Sequence, residues 1–141
     1  MKLKVYIMHS EKVNYKEEIY KPLLEKGLLN NYFLILPMTQ KYISSYVKEL
    51  IIDSDIVICD LTKFNMFSNI ELKIANKLAK DIRYFINKED KNIKKYKNLE
   101  LILYDNKYDF VDKVEQILNA IDPKQIMLQK ENIYCLGKIQ K

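Results

Sequence analysis

The chain has 141 residues, 48 % of them hydrophobic, and a formal net charge of +5, which suits one domain with a single core and argues against disorder. Two glycines (Gly27, Gly137) and one histidine (His9) exclude a G-x-G-x-x-G dinucleotide turn, a Walker phosphate loop and a histidine-rich zinc site. No apolar run approaches the roughly 18 residues of a membrane span, and the N-terminus has no signal-peptide cleavage site, so a cytoplasmic protein without metal or membrane contact is expected.

The excess of lysine reflects codon bias more than a nucleic-acid surface. Lys, Ile, Asn and Tyr all have AT-rich codons, and Arg83 is the only arginine. A nucleic-acid surface needs clustered basic residues beside stacking aromatics. The one candidate, Asn87 to Asn98, contains acids and reads as a solvated loop, so no nucleic-acid partner is expected. Cys59 and Cys135 lie far apart in apolar runs and read as buried free thiols.

The elements follow in chain order. "KLKVYIMH" is a first strand, rich in β-branched and aromatic residues. Residues 14–29 form a helix with Asn14 as cap, Tyr15, Ile19, Leu23 and Leu24 inward, a kink at Pro22 and a stop at Gly27. "YFLILP" is a second strand. Residues 40–54 form an amphipathic helix with Ile43, Tyr46, Val47, Leu50 and Ile51 on one stripe. "DIVICDL" is a third strand, apolar throughout as when both faces are covered.

A helix from Ser68 to Lys80 then buries Ile70, Ile74, Ala75 and Leu78. "IRYFI" and "LELILY" are the fourth and fifth strands. Residues 107–121 form a last helix with Phe110, Val114, Ile117, Leu118 and Ile121 inward, closed by Pro123. Residues 1–122 read as one domain, and residues 123–141 as a tail that forms either a hairpin or an arm packed on a neighbouring subunit. The alternation predicts a flavodoxin-like α/β three-layer sandwich: a mainly parallel five-stranded sheet with helices on both faces.

Ligands of such sheets bind beyond the carboxyl ends of the strands. That rim collects His9 and Ser10 after strand one, Asp60 at the end of strand three, and Glu71 in the first turn of the next helix. Two readings of Glu71 compete. Ser68-Asn69-Ile70-Glu71 has the spacing of a capping box, in which Ser68 accepts from the N–H of Glu71 and Glu71 reaches back. Alternatively Glu71 is a functional carboxylate.

"KVYIMHS", "SDIVICDLT" and "NIELKIAN", in that order, resemble the nucleoside 2-deoxyribosyltransferase-like family, which includes the 2'-deoxynucleoside 5'-phosphate N-hydrolases. The resemblance spans Lys2 to Ile121. It implies Glu71 as nucleophile, Tyr6 beside it, Asp60 as the acid that contacts the nucleobase, and Ala75 as the small helix residue. Asn65 stands near a phosphate-binding serine of the hydrolases. Asn69 and Lys73 stand where the family has glycines, so Asn69 narrows the pocket or adds a hydrogen bond.

The implied chemistry is attack of Glu71 on the anomeric carbon, with Asp60 assisting the leaving base and no cofactor. The substrate would be a nucleoside or nucleotide, with His9, Ser10, Asn65 and Asn69 as binding residues and a homo-oligomer as the working form. Two alternatives remain open: a catalytically weak nucleotide-binding or interaction module on the same fold, and a TIR-like NAD glycohydrolase.

Overall fold

The computed structural model describes residues 2–36, 45–65 and 69–122. Five strands form one sheet: β1 (Leu3–Met8), β2 (Tyr32–Ile35), β3 (Ile56–Asp60), β4 (Ile82–Asn87) and β5 (Leu101–Tyr104). Their order is β2-β1-β3-β4-β5, and all four pairings are parallel. The sheet is thus fully parallel, with the strand order of flavodoxin-like folds, whose switch point lies between β1 and β3.

The helices are α1 (Lys21–Glu25), α2 (Ser45–Asp53), α3 (Ile70–Lys77) and α4 (Lys107–Ala120). Alternate residues of the strands feed two cores, as the two-residue period requires. Val5, Ile7, Ile56, Ile58 and Phe85 meet Leu23 of α1 and Phe110, Val114 and Leu118 of α4. On the opposite face Tyr6, Met8, Val57, Cys59 and Ile86 meet Ile51 of α2 and Leu72 and Ala75 of α3. The expected two-faced sandwich is therefore the observed one. The free thiol of Cys59 is buried as expected, whereas Cys135, Pro37, Ile43, Ser68, Pro123 and the tail lie outside the described residues.

Three helical faces differ from the sequence reading. The first helical segment opens with a π-turn, Lys16–Tyr20, before α1. A π-turn holds an extra residue and advances the inward face by one position. Ile19, Tyr20 and Leu23 are buried and Leu24 is 45 % exposed. Pro22 does not break the segment, because it stands in the first turn of α1, where no N–H is needed. The cap position of the π-turn is Tyr15 and not the expected Asn14, and it makes no side-chain cap bond. Gly27 has φ 78°, the left-handed conformation that glycine adopts without strain, and the chain turns there into a short 3-10 segment, Leu28–Asn30.

In α2, Tyr46 is exposed while Ile51 is fully buried. In α3, Ile70 and Leu78 are exposed, and Glu71, Leu72 and Ala75 face inward. That rotation places a carboxylate where the apolar stripe would have put an isoleucine.

Candidate active site

The carboxyl ends of β1 and β3 define the site. Tyr6 of β1 points to the face covered by α3, and its hydroxyl donates to Glu71 Oε2 at 2.6 Å in a buried contact. This lies in the short range of hydrogen bonds to an ionised oxygen. Oε1 of Glu71 has no hydrogen-bond partner among the described residues. Burial pushes the Glu71 carboxyl above its usual value, the Tyr6 bond pulls it back, and the charge of Glu11 raises it further. Tyr6 itself is pushed far up, first by burial and then by Glu71.

The capping reading of Glu71 is corrected here. The N-cap of α3 is Asn69, whose side chain accepts from the Leu72 N–H at 2.8 Å. Glu71 thus falls at the second helical position, with its carboxylate bound to Tyr6 from a different element.

Asp60 ends β3 and is 2 % exposed. Its Oδ1 accepts from the Thr62 N–H at 3.1 Å and the Thr62 hydroxyl at 2.7 Å. Its Oδ2 accepts from the Tyr104 hydroxyl at 2.9 Å. The Thr62 oxygen lies 2.9 Å from that of Tyr104 and also accepts from the Asn87 N–H at 2.9 Å. Burial outweighs these donors and pushes Asp60 up to about 6. Asp60 is thus held closer to neutral pH than an ordinary carboxyl, the range in which a side chain can act as acid or base.

His9 and Ser10 follow β1 and are buried. The His9 ring stacks on Tyr15, with centroids 4.4 Å apart. Its Nε2 lies 2.5 Å from the Tyr20 hydroxyl and its Nδ1 lies 3.1 Å from the Ser10 carbonyl oxygen. A carbonyl only accepts, so Nδ1 donates to it, and in the neutral form of the ring Nε2 accepts from the Tyr20 hydroxyl. The Ser10 hydroxyl closes a turn by accepting from the Lys12 N–H at 3.0 Å.

Two cavities open along this edge. The smaller, about 300 Å³, is bounded by His9, Ser10, Lys12, Asn65, Asn69 and Glu71 among others. The larger, about 720 Å³, is bounded by Asn14, Asp60, Thr62, Asp90, Tyr104 and Tyr108 among others. The structure thus gathers the predicted Glu71, His9, Ser10, Asn65 and Asn69 around one cavity, with Tyr6 bonded behind Glu71. Asp60 opens on the neighbouring one.

Thr62, Tyr104 and Tyr20 were not anticipated. The spacing Asp60-Leu61-Thr62 carries a signal, because an acid often accepts from a backbone two residues on. Tyr104 and Tyr20 carry none in a chain with 11 tyrosines. Among the described residues no group of three or more His, Cys, Asp or Glu side chains could hold a metal, and no helix is long and apolar enough to cross a membrane.

No family model and no curated protein matches the chain. Among solved structures it is similar to the CMP N-glycosidase BcmB of Clostridium botulinum, at 14 % identity and TM-score 0.52, over 81 % of this chain and 98 % of that one. It is also similar to the TIR domains of the activated Roq1 resistosome, at 12 % identity and TM-score 0.48, over 89 % of this chain and 77 % of that one. The second likeness is too distant to carry weight. The first likeness establishes the fold alone.

Proposed function

We propose that the chain cleaves or transfers at the N-glycosidic bond of a nucleoside or nucleotide, as a divergent relative of the deoxyribosyltransferase-like enzymes, with Glu71 as nucleophile. The observation that carries this reading is the buried Tyr6–Glu71 contact. It holds one carboxylate oxygen at the cavity edge and leaves the other without a protein partner among the described residues. A carboxylate serving only as a helix cap would be turned to the helix's own N–H groups.

In this mechanism an Oε atom of ionised Glu71 bonds to the anomeric carbon as the bond from that carbon to the base nitrogen breaks. The electron pair leaves with the base, which takes a proton from Asp60. Water or a second base then displaces Glu71 and returns a proton to Asp60, with net retention of configuration. The residues of this scheme need no cofactor. Asn65, Asn69, His9 and Ser10 shape the sugar side.

One observation favours the second reading, a weakly catalytic nucleotide-binding module: both oxygens of Asp60 already hold donors. Incubation with deoxynucleosides, their monophosphates and NAD separates the readings. Release of free base supports the proposal, release of nicotinamide alone supports a TIR-like activity, and binding without release supports the module.

A further inference from the structure

Asp60, Thr62 and Tyr104 all border the larger cavity, and their oxygens close a ring with three edges. Asp60 Oδ1 lies 2.7 Å from the Thr62 oxygen, that oxygen lies 2.9 Å from the Tyr104 oxygen, and the Tyr104 oxygen lies 2.9 Å from Asp60 Oδ2. Each edge needs one hydrogen. When Asp60 is ionised, the ring holds only the two hydroxyl hydrogens, and both are drawn to the carboxylate. The edge between Thr62 and Tyr104 then sets two oxygens face to face with no hydrogen between them. A proton on Asp60 supplies the third hydrogen and completes the ring.

The Thr62 N–H sets the direction of the ring. It donates to Oδ1, which marks Oδ1 as the carbonyl oxygen of the neutral acid and puts the proton on Oδ2. Oδ2 then donates to Tyr104, Tyr104 to Thr62, and Thr62 to Oδ1. The Thr62 oxygen also accepts from the Asn87 N–H, so its hydrogen and both lone pairs are engaged. The Tyr104 oxygen keeps one position open among the described residues. It is the ring member that a ligand in the cavity can reach. Both oxygens of Asp60 are already taken up inside the ring.

The charged groups around this cavity are Glu18, Glu89, Asp90 and Asp105 against Lys63 and Lys107. Phe85, the partner of Asp60 on β4, carries no charge, and burial keeps the Cys59 thiol beside it neutral. The excess of carboxylates favours the protonated form of Asp60. The Tyr104 phenol is pushed far up, first by burial and then by the charge of Asp60. It therefore gives up its hydrogen only if another replaces it.

We infer that the leaving base takes its proton from the Tyr104 hydroxyl, which is refilled from Asp60 Oδ2, and that Thr62 is the positioning residue that fixes the direction of transfer. The inference rests on the N-glycosidic reading and adds a catalytic residue to it. As the glycosidic bond breaks, its electron pair on the base nitrogen takes the Tyr104 hydrogen. The Oδ2–H bond breaks in turn and a new Tyr104 O–H bond forms. Asp60 is left ionised, with Thr62 and Tyr104 both donating to it. The same path run backwards returns a proton from the incoming water or second base.

The test compares leaving groups that need a proton with leaving groups that do not. An N7-methylated guanine glycoside is already cationic, so its base departs neutral, and 5-nitrouracil departs readily as an anion. Release of guanine, 7-methylguanine, uracil and 5-nitrouracil is measured from the 2'-deoxynucleosides and their 5'-monophosphates. Tyr104→Phe should slow release of guanine and uracil about a hundredfold, and that of the two activated bases by no more than about threefold. In the natural protein, release of guanine and uracil should also fall as pH rises through about 6, where Asp60 loses its proton, while the activated bases lack that limb.

Thr62→Val should shift the ratio of ordinary to activated bases in the same direction, and Thr62→Ser should restore it. This pair decides the matter if Tyr104→Phe does not fold. A Tyr104→Phe effect that is equal for both kinds of base, or absent, overturns the inference and leaves the glycosidase reading standing. So does a ratio unmoved by Thr62→Val. If the natural protein releases base from none of the compounds, the glycosidase reading fails and the inference falls with it.

Discussion

Asp60 and Glu71 sit at one edge of the sheet and are almost equally buried, at 2 % and 5 % exposure, but they are held in opposite ways. Asp60 receives three donors from Thr62 and Tyr104. Glu71 receives one, from Tyr6, among the described residues. An ionised carboxylate has about four acceptor positions, so the first is close to saturated and the second is not. Burial raises both groups in pKa, so only the hydrogen-bond pattern separates their roles. A saturated acid is fixed in place, whereas an unsaturated one keeps lone pairs for a further donor.

The sharpest way to break this contrast is Glu71→Gln. Glutamine can still accept from Tyr6 but is a poor nucleophile. Base release should fall about a thousandfold, roughly 4 kcal/mol of barrier. The melting temperature should hold or rise, because a buried charge is removed. A folded variant that keeps most of its turnover ends the nucleophile assignment.

Asp60→Asn probes the saturated acid through pH. The folded-state value of about 6 lies above the ordinary 3.8, so the folded protein binds more protons than the unfolded chain between those values. Asp60 therefore contributes stability that is complete below about pH 4 and is lost as pH rises through 6. The variant should melt like the natural protein at pH 4 and gain up to about 3 kcal/mol at pH 8. An equal shift at both pH values removes the role of burial here.

Tyr6→Phe strips Glu71 of its described donor. A hydrogen bond to a charged group is lost, costing about 1 to 3 kcal/mol, and Glu71 should titrate higher still. The acidic limb of the activity profile should move to higher pH. An unmoved limb in a folded variant detaches Glu71 from that profile.

The smallest effect is expected at Asn69→Gly. Glycine replaces the cap of α3 at a cost of a few tenths of a kcal/mol and opens the smaller cavity, so turnover should rise. Lower turnover at equal stability means that the amide binds substrate.

The fold was legible because its strands are apolar runs separated by helical periodicity. β3 reads "IVICD" and is buried at every position. What the residues hid has specific causes. The π-turn adds a residue without any proline or glycine to announce it, so Tyr20 was missed and Leu24 was placed inward. In α3 the expected stripe holds for Ala75, which is buried, and Ile74, which packs against the core, but packing under Tyr6 turns Glu71 and Leu72 inward and leaves Ile70 and Leu78 exposed. Asp60 and Glu71 were visible as rim residues because strand ends and first helical turns map directly from sequence. Their unequal hydrogen bonding was not visible, because Tyr104 comes from a strand 44 residues further on.

The central position of β1 bears on how the chain folds as it is made. Its partners are distant in sequence: Leu3 pairs with Tyr32, and Val5 with Ile56. Of the five strands β1 is made first, and while one of its edges meets β2 about thirty residues later, the other stays unpaired and apolar until about fifty have followed it. Such non-local pairing slows folding and leaves strand edges open to other chains in the interval. The Tyr6–Glu71 contact spans 65 residues, so the site closes only after the sheet's centre has formed. Newly made chains should depend on chaperones most strongly between the emergence of β1 and that of β3.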